Sequence, residues 1–496
     1  MSGLDSLKTA YGEIADIGRA AAVLSWDQQT YMPPRGAESR GRQLATLSGV
    51  LHEKITSPAL GDLLEKAAAE KNLGADGEAY IRELRIARDR SVKLPAELVK
   101  ALALEESRTF EVWQRAKQAK DFRLYAPQLA KLVELVRQKA ECFGYAETPW
   151  DALAQDYERG TSASMVRGFF DPLRIATVDL LDKIRGKEQP ADGFLQQKWN
   201  LDRQKEFGLR VLRDIGFDMY GGRQDVAPHP FCTTFGVGDV RITTRYKEDS
   251  VTDGLSSTIH EMGHALYEMG FPASDDRGPL ADAPSLGIHE SQSRFWEVRI
   301  GQSRAFWEHY LPIASQYFPG QFDGVSVEQI YRAVNRIEPG FIRVEADEIS
   351  YNLHIIIRFE LEVKILSGEL AVADIRDAWN QSYRDYLGLT PPDDAKGCLQ
   401  DVHWAYGSFG YFPSYTFGNI YSAMIVERMQ KDLPQMWQGA ARGEYREILA
   451  WLRDRIHRHG RRLEAVPLIE QATGEKASPD AIIRHLRAKY GEIYSL

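Results

Sequence analysis

The residues from Val251 to Gly270, VTDGLSSTIHEMGHALYEMG, constrain the fold of this chain more than any other segment. Apolar side chains recur there at intervals of three and four residues, which predicts an amphipathic helix with one buried face. Gly270 is well placed to end that helix. His260 and His264 are four residues apart, so they lie one above the other on the other face. The segment is therefore predicted to be a helix that rests on a core and turns both imidazoles away from it.

Two imidazoles at this spacing can bind one tetrahedral zinc ion at about 2.0 to 2.1 Å. Glu261 is rotated by about one helical step, so it can reach a water molecule on the metal without being a ligand. We expect Glu261 to act as general base and then general acid in the hydrolysis of a peptide bond. The less specific alternative is a helix with two ordinary histidines, and a third ligand is needed to set it aside.

The third ligand must come from outside this helix. A metzincin would have Gly at position 267 and His at position 270, but the chain has Tyr267 and Gly270. Glu268 lies on the same helix but is eight residues from His260, about 12 Å along the axis, which is too far for a shared ion.

A second helix is predicted to begin after Ser285, a suitable N-cap residue. Glu290 on that helix is the favoured third ligand, and Glu297 is the alternative. His289 is interpreted as a supporting or packing residue. A site with two histidines, one glutamate and a water molecule is typical of catalytic rather than structural zinc.

Composition excludes several other classes of protein. The chain has 62 Lys and Arg residues against 71 Asp and Glu, a net charge of −9, so no overall positive field attracts nucleic acid or an anionic membrane. It has no run of 18 apolar residues, which predicts that no helix spans a membrane. The three cysteines have no CxxC spacing, and the first residues do not resemble a secretory signal, so we expect reduced thiols in the cytoplasm.

Six motifs occur in order between positions 26 and 404: WDQQTYMPP, DVRIT, HEMGH, HESQ, IRVEAD and GCLQDVHW. Through them the chain resembles the carboxypeptidase Taq family of thermostable metallocarboxypeptidases. The resemblance implies a mainly α fold of the neurolysin and angiotensin-converting-enzyme type, with a deep groove, a small β-sheet near the zinc site and commonly a homodimer.

The same resemblance implies an enzyme that releases single amino acids from peptides with a free C-terminus, with broad specificity. It implies one Zn²⁺ per chain, or Co²⁺, held by His260, His264 and Glu290, with Glu261 as the general base and acid. A zinc endo-oligopeptidase or a dipeptidyl carboxypeptidase would use the same zinc residues. A peptide-binding protein with structural zinc is the alternative from a different class.

An exopeptidase needs a cation for the terminal carboxylate, and an arginine can bond both oxygens. Arg343 is the first candidate, on a predicted helix whose apolar residues run from Ile342 to Ile356. An ion pair between Arg343 and Asp347 on a solvated face is the alternative. Arg241 competes for the role, although an arginine on an edge strand is more often paired or solvated. His229 is a further candidate for contact with the substrate.

The oxyanion of the reaction also needs a hydrogen-bond donor opposite the metal. Tyr415, Tyr411 and His403 are the candidates, in no fixed order. A short β-hairpin is predicted for residues 231–246. Because the motifs are spread so widely, we expect one continuous body over residues 1–496. Its N-terminal helices, to about residue 215, would form part of the wall or lid of the groove, and residues of about 225–420 would form the core of the zinc site.

Overall fold

The computed structural model describes residues 2–496, and helices make up most of it. Nine α-helices precede the small sheet. They are α1 Gly3–Thr30, α2 Ala37–Thr56, α3 Pro58–Ala68, α4 Gly74–Lys93, α5 Ala96–Ala119, α6 Ala126–Phe143, α7 Pro149–Ala154, α8 Ala163–Ile184 and α9 Leu201–Ile215.

Eleven further α-helices follow the sheet, and a π-helical segment, Phe295–Ile300, directly extends the second of them. They are α10 Val251–Glu268, α11 Leu286–Arg294, α12 Arg304–Tyr317, α13 Val327–Val334, α14 Ser350–Ser367, α15 Ile375–Leu387, α16 Pro413–Asp432, α17 Met436–Ala441, α18 Arg446–Arg455, α19 Ala465–Thr473 and α20 Asp480–Tyr494. None of the helices in residues 2–496 is long and apolar enough to cross a membrane.

The sheet has three strands, β1 Gly222–Val226, β2 Cys232–Gly236 and β3 Asp239–Thr244. The central strand β3 pairs antiparallel with β2 and parallel with β1. The predicted hairpin is therefore present as β2 and β3. The parallel partner β1 was not predicted, because GRQDV lacks the β-branched and aromatic residues that indicate a strand.

Close helix packing sets the position of α11. A Cβ atom added at Gly418 of α16 would lie 2.4 Å from Cγ of Glu290, and one added at Gly263 of α10 would lie 2.6 Å from the carbonyl oxygen of Gln292. Real Cβ atoms do not approach other atoms so closely. The absence of a side chain at both glycines therefore lets α10 and α16 both pack closely against the helix that carries Glu290.

Most buried side chains belong to one core that extends from α5 to α20 and includes the apolar face of α10. A smaller, separate core forms between α1, α3 and α4. Its members are Leu7, Leu60, Leu64, Ala67, Ala79, Tyr80, Ile81, Leu84 and Leu280. The first four helices therefore pack mainly on one another, whereas α5 to α9 share the core that supports α10.

Replacing Gly418 with alanine should disturb the packing between α16 and α11. We expect Gly418→Ala to lower the free energy of unfolding by about 1–3 kcal/mol, because the new methyl group overlaps Glu290. Metal affinity should fall as well. Denaturant unfolding and metal titration measure the two effects.

Gly168→Ala is the matched control, since Gly168 is exposed in the middle of α8 and has open space at its Cβ position. It should raise the free energy of unfolding by roughly 0.5–1 kcal/mol. Wild-type stability and metal affinity in Gly418→Ala would show that the close approach is not required.

Candidate active site

Helix α10 has the bounds and the two faces that the sequence predicts. Ser250 caps its first turn, with Oγ accepting a hydrogen bond from the amide of Asp253 at 3.2 Å. The side chains of Ile259, Met262 and Leu266 are buried in the main core. This anchored face fixes the rotation of α10.

Three side chains from two helices meet at one point beside the opposite face of α10. The Nε2 atoms of His260 and His264 lie 3.6 and 3.5 Å from the same atom, Oε2 of Glu290. All three atoms lie within 4.8 Å of one another. Ligands about 2.1 Å from a tetrahedral ion are themselves separated by about 3.4 Å. The three side chains therefore fit around one metal ion.

The remaining nitrogen of each imidazole has its own partner. Nδ1 of His260 lies 2.9 Å from Oε2 of Glu297, and Nδ1 of His264 lies 3.0 Å from the carbonyl oxygen of His289. These oxygens accept hydrogen bonds, so Nδ1 donates in both rings. In the neutral form of each ring, Nε2 then has a lone pair directed at Glu290, which is the arrangement that a metal-binding histidine needs.

Glu297, the alternative ligand, lies on the π-helical segment and contacts the other side of His260. Its carboxylate also accepts hydrogen bonds from Nη1 of Arg294, at 2.8 Å, and from Oγ of Ser256, at 2.7 Å. Burial opposes the ionised form, but Arg294 and His260 outweigh it and lower the pKa of Glu297 to about 2. Glu297 is thus ionised and contacts Nδ1 of His260, whereas Glu290 is the carboxylate that faces both Nε2 atoms.

The carboxylates around His260 favour a positive charge at this point. Burial alone would lower the pKa of His260, but Glu290 and Glu297 outweigh it and raise the pKa to about 9. A metal ion would supply that charge while both imidazoles stay neutral. Glu261 is also buried, and burial is the main reason that its pKa rises to about 7, with Glu290 adding to the effect.

Arg343 lies in a buried cluster with one shared carboxylate. Its Nε and Nη2 atoms donate to Oδ1 of Asp401 at 3.0 and 2.9 Å, and Nε of Arg358 donates to Oδ2 of the same residue at 2.6 Å. The Arg343 guanidinium also lies 4.9 Å from the centre of the Tyr415 ring. The two arginines hold the pKa of Asp401 well below its usual range. One unit of positive charge remains uncompensated within the cluster.

The prediction that Arg343 lies on a long helix is wrong. Residues Arg343–Glu345 form one 3₁₀ turn, and α14 begins only at Ser350. The Asp347 carboxylate accepts hydrogen bonds from the amides of Ile349 and Ser350, at 3.0 and 2.8 Å, and so caps the later helix instead of pairing with Arg343. Local capping by an aspartate competes with helix continuation.

Arg241 does not lie on an edge strand, as was predicted, but on the central strand β3. It does make the expected ion pair, with two contacts of 2.8 Å to Asp239. Its guanidinium lies against the rings of Trp26 and Phe235, 4.5 and 4.7 Å from their centres. His229 is exposed in the loop between β1 and β2.

The three candidate oxyanion donors form one aromatic group. The ring of Tyr411 lies 5.1 Å from that of His403 and 5.4 Å from that of Tyr415, between ring centres. Burial is the main cause that raises the pKa of both tyrosines, and the Glu290 carboxylate adds to it, so both phenols lie within electrostatic reach of the ligand cluster. Burial lowers the pKa of His403 to about 4, so its ring is neutral near pH 7.

Sequence reasoning missed two residues that contact the Arg343 cluster. One is Tyr351, whose hydroxyl lies 3.4 Å from Nη1 of Arg343 and whose ring lies 5.3 Å from the guanidinium of Arg294. Arg358 shares Asp401 with Arg343. Neither had a signal in the sequence, because both belong to a helix whose apolar pattern is nearly continuous.

A helical body that aims two histidines and a glutamate at one point, with a buried glutamate beside them, defines a metallopeptidase. Comparison with known proteins agrees. Residues 6–490 match the family model described as carboxypeptidase Taq (M32) metallopeptidase. The chain is 41% identical over 495 residues to thermostable carboxypeptidase 1 of Thermus thermophilus and 38% identical over 485 residues to carboxypeptidase 1 of Bacillus subtilis, with 97% of both chains covered in each case.

The structure of the M32 carboxypeptidase from Deinococcus radiodurans superposes with a TM-score of 0.98, at 41% identity, and covers 100% of both chains. The chain therefore belongs to the carboxypeptidase Taq (M32) family. It is a carboxypeptidase, a metal-dependent hydrolase that acts on peptides. The family resemblance and the mainly helical fold expected from the motifs are confirmed.

Glu297 should set the orientation of His260 and, through it, metal affinity. We expect Glu297→Gln to weaken metal binding roughly 10- to 100-fold, because the imidazole loses its ionised acceptor. Competition with a chromophoric chelator measures the change.

Glu268→Gln is the control, since Glu268 makes the same kind of contact, 2.9 Å, with Nε2 of His289, which is outside the ligand cluster. It should leave metal affinity close to the wild-type value. Equal losses in the two variants, or no loss in Glu297→Gln, would contradict this role of Glu297.

Proposed function

We propose that this enzyme is a zinc carboxypeptidase that removes single amino acids, with broad specificity, from peptides with a free C-terminus. The observation that carries the proposal is the sharing of Asp401 between Arg343 and Arg358, which leaves one positive charge in the buried wall near the ligand cluster. A C-terminal carboxylate is the group of a peptide that this charge would select.

The donor set supports zinc. Two neutral imidazoles and one carboxylate form the ligand set of catalytic zinc, and Co²⁺ accepts the same ligands. His260, His264 and Glu290 would hold one ion per chain. When bound, the ion would polarise the scissile carbonyl and make water a stronger nucleophile near neutral pH.

Glu261 would move the proton in this reaction. Its carboxylate would accept a proton from the attacking water as the water oxygen bonds to the carbonyl carbon. It would then return that proton to the nitrogen of the leaving amino acid as the C–N bond breaks. Burial raises the pKa of Glu261, which makes its carboxylate a stronger proton acceptor than a solvated one.

Arg343 would hold the terminal carboxylate, with Arg358 neutralising part of Asp401 behind it. The hydroxyl of Tyr351 and the ring of Tyr415 would border this position. Arg241 and His229 are proposed as further substrate contacts near the small sheet. Contact with two aromatic rings and the ion pair with Asp239 restrain the Arg241 guanidinium and support a fixed position for it.

Tyr415, Tyr411 and His403 are the proposed donors to the oxyanion. Burial keeps both phenols protonated, which is the form that donates. The buried Nδ1 atom of His403 has no hydrogen-bond partner among residues 2–496. A buried polar atom without a partner is costly in a folded protein, and a substrate group would relieve that cost.

The proposal also includes three broader features. The resemblance to the family favours a homodimer. The free thiols of Cys142, Cys232 and Cys398 favour a cytoplasmic enzyme. The core shared by α5 to α20 favours one catalytic domain over residues 1–496, with α1 to α4 at its N-terminal edge.

The activity is tested by incubating the purified enzyme with N-blocked peptides and following product masses over time. Stepwise loss of single C-terminal residues is expected, and a chelator should abolish it. Peptides with an amidated C-terminus serve as the control and should be cleaved far more slowly. Internal fragments or dipeptides as first products would contradict the proposal.

Glu261→Gln should separate metal binding from turnover. We expect wild-type zinc content with a loss of about 10²- to 10⁴-fold in kcat, because the amide cannot carry the proton. Metal analysis and steady-state kinetics give the two values. A variant that keeps its activity would exclude Glu261 as the proton carrier.

Arg343→Ala should act on the recognition of the carboxylate. We expect KM for a free-acid peptide to rise roughly 10- to 100-fold, the value of a lost charge-assisted hydrogen bond. The inhibition constant of the matching amidated peptide should stay nearly constant. Arg241→Ala is the parallel variant. Equal changes for acid and amide would remove the proposed role of Arg343.

A further inference from the structure

A cavity of about 610 Å³ lies apart from the ligand cluster, on the other side of the π-helical segment. Val298 and Arg299 line it, whereas Glu297 of the same segment faces His260. Residues of α12, α13, α17 and α20 form its other walls, and the cavity opens to solvent. Neither the metal ligands nor the proposed substrate residues contribute to its walls.

Four side chains that line this cavity carry a positive charge. These are Arg299, Arg304, Arg442 and Lys489. Burial lowers the pKa of His485, which also lines the cavity, to about 4, so its ring is neutral near pH 7. The lining includes one carboxylate, that of Glu308. Positive charges gathered around one concave space raise the local potential for an anion.

Two of these cations are buried and share a single carboxylate. Arg299 and Lys489 are 3% and 9% exposed, and each lies 2.6 Å from a carboxylate oxygen of Glu348. His485 and Tyr490 contact the same carboxylate at 3.1 and 2.9 Å. The Glu348 carboxylate therefore accepts hydrogen bonds from four groups. It balances only one of the two buried positive charges, so the other has no anion of its own.

Lys489 also has hydrogen-bonding capacity to spare. An ammonium group carries three N–H donors, and within residues 2–496 Nζ donates to Glu348 alone. Buried donors normally have acceptors. A ligand oxygen in the cavity would provide them.

The remaining two arginines stand at the rim. Arg304 pairs with Glu328 and Glu492, and Arg442 pairs with Glu444. The Arg442 side chain is 58% exposed, so it can turn toward the cavity without loss of buried packing.

We propose that this cavity is a binding site for a small molecule that carries an oxyanion, a phosphate or a carboxylate group. The oxyanion contacts Lys489 and Arg299 in the interior, and Arg442 closes over it from the rim. The site is independent of the zinc proposal, because it shares no residue with the ligand cluster or with the Arg343 clamp.

The test uses inorganic phosphate and succinate as separate probes in isothermal titration calorimetry of the full chain, with ionic strength held constant by sodium chloride. At least one probe is expected to bind with a Kd below about 1 mM. Binding of phosphate alone would identify a phosphorylated ligand, and binding of succinate alone would identify a carboxylate ligand. Binding of both would show that the site recognises the oxyanion chemistry that they share.

Lys489→Met removes the buried ammonium and keeps most of its volume, and Arg442→Gln removes the rim charge without touching the core. Both should weaken binding, Lys489→Met about tenfold or more. Arg42→Gln on exposed α2 changes net charge equally and should bind normally. Arg343→Gln should also bind normally, which excludes capture of the probe at the carboxylate clamp.

The proposal is overturned if neither phosphate nor succinate binds at roughly 10 mM, which is 10-fold above the expected upper limit of Kd. It is also overturned if Lys489→Met and Arg442→Gln both keep the wild-type Kd, or if only Arg343→Gln loses binding. Should Lys489→Met fail to fold, Arg442→Gln decides the outcome by itself.

Discussion

The site depends on how closely α10 and α16 press on α11. Gly263 and Gly418 leave no side chain between these helices, so the backbone of α11 lies where Glu290 can reach both histidines. Two hydrogen bonds add to this constraint. Ser293 donates to the Glu290 carboxylate at 3.0 Å, and the buried carboxylate of Glu158 accepts from the amide of Gly287 at the start of α11. Helix packing, rather than a flexible loop, therefore sets the geometry of the three ligand atoms.

Opposite charges are kept apart within the site. Glu261, Glu290 and Glu297 surround the histidines and favour a cation, whereas Arg343 and Arg358 share one carboxylate and favour an anion. A bound metal ion would satisfy the first side, and the C-terminus of a peptide would satisfy the second. Tyr351 contacts Arg343 on the second side and lies near Arg294 on the first. The net charge of −9 does not conflict with an anionic substrate, because the arginines act locally.

Local patterns predicted the parts of the fold that local forces determine. The spacing of the apolar residues predicted α10, and the β-branched and aromatic residues of 231–246 predicted the hairpin of β2 and β3. Strand β1 has no clear strand pattern in its sequence, and its pairing with β3 is non-local, so local patterns did not predict it. Arg343 was assigned to a helix because the apolar spacing continues through Asp347, where side-chain capping instead starts a new helix at Ser350. Glu290 and Glu297 could not be separated by spacing, since residues seven apart share one face of an α-helix. The π-helical turn that places Glu297 behind His260 has no signal in the sequence.

The central claim is that packing of α11 makes Glu290, and not Glu297, the third metal ligand. A crystal structure of the zinc-loaded enzyme, with anomalous diffraction recorded at the zinc edge, tests it most directly. One anomalous peak per chain is predicted, about 2.0–2.2 Å from Nε2 of His260, Nε2 of His264 and a carboxylate oxygen of Glu290. Glu297 should remain hydrogen-bonded to Nδ1 of His260. A peak bound by Glu297, or one that lies away from the two histidines, would contradict the account.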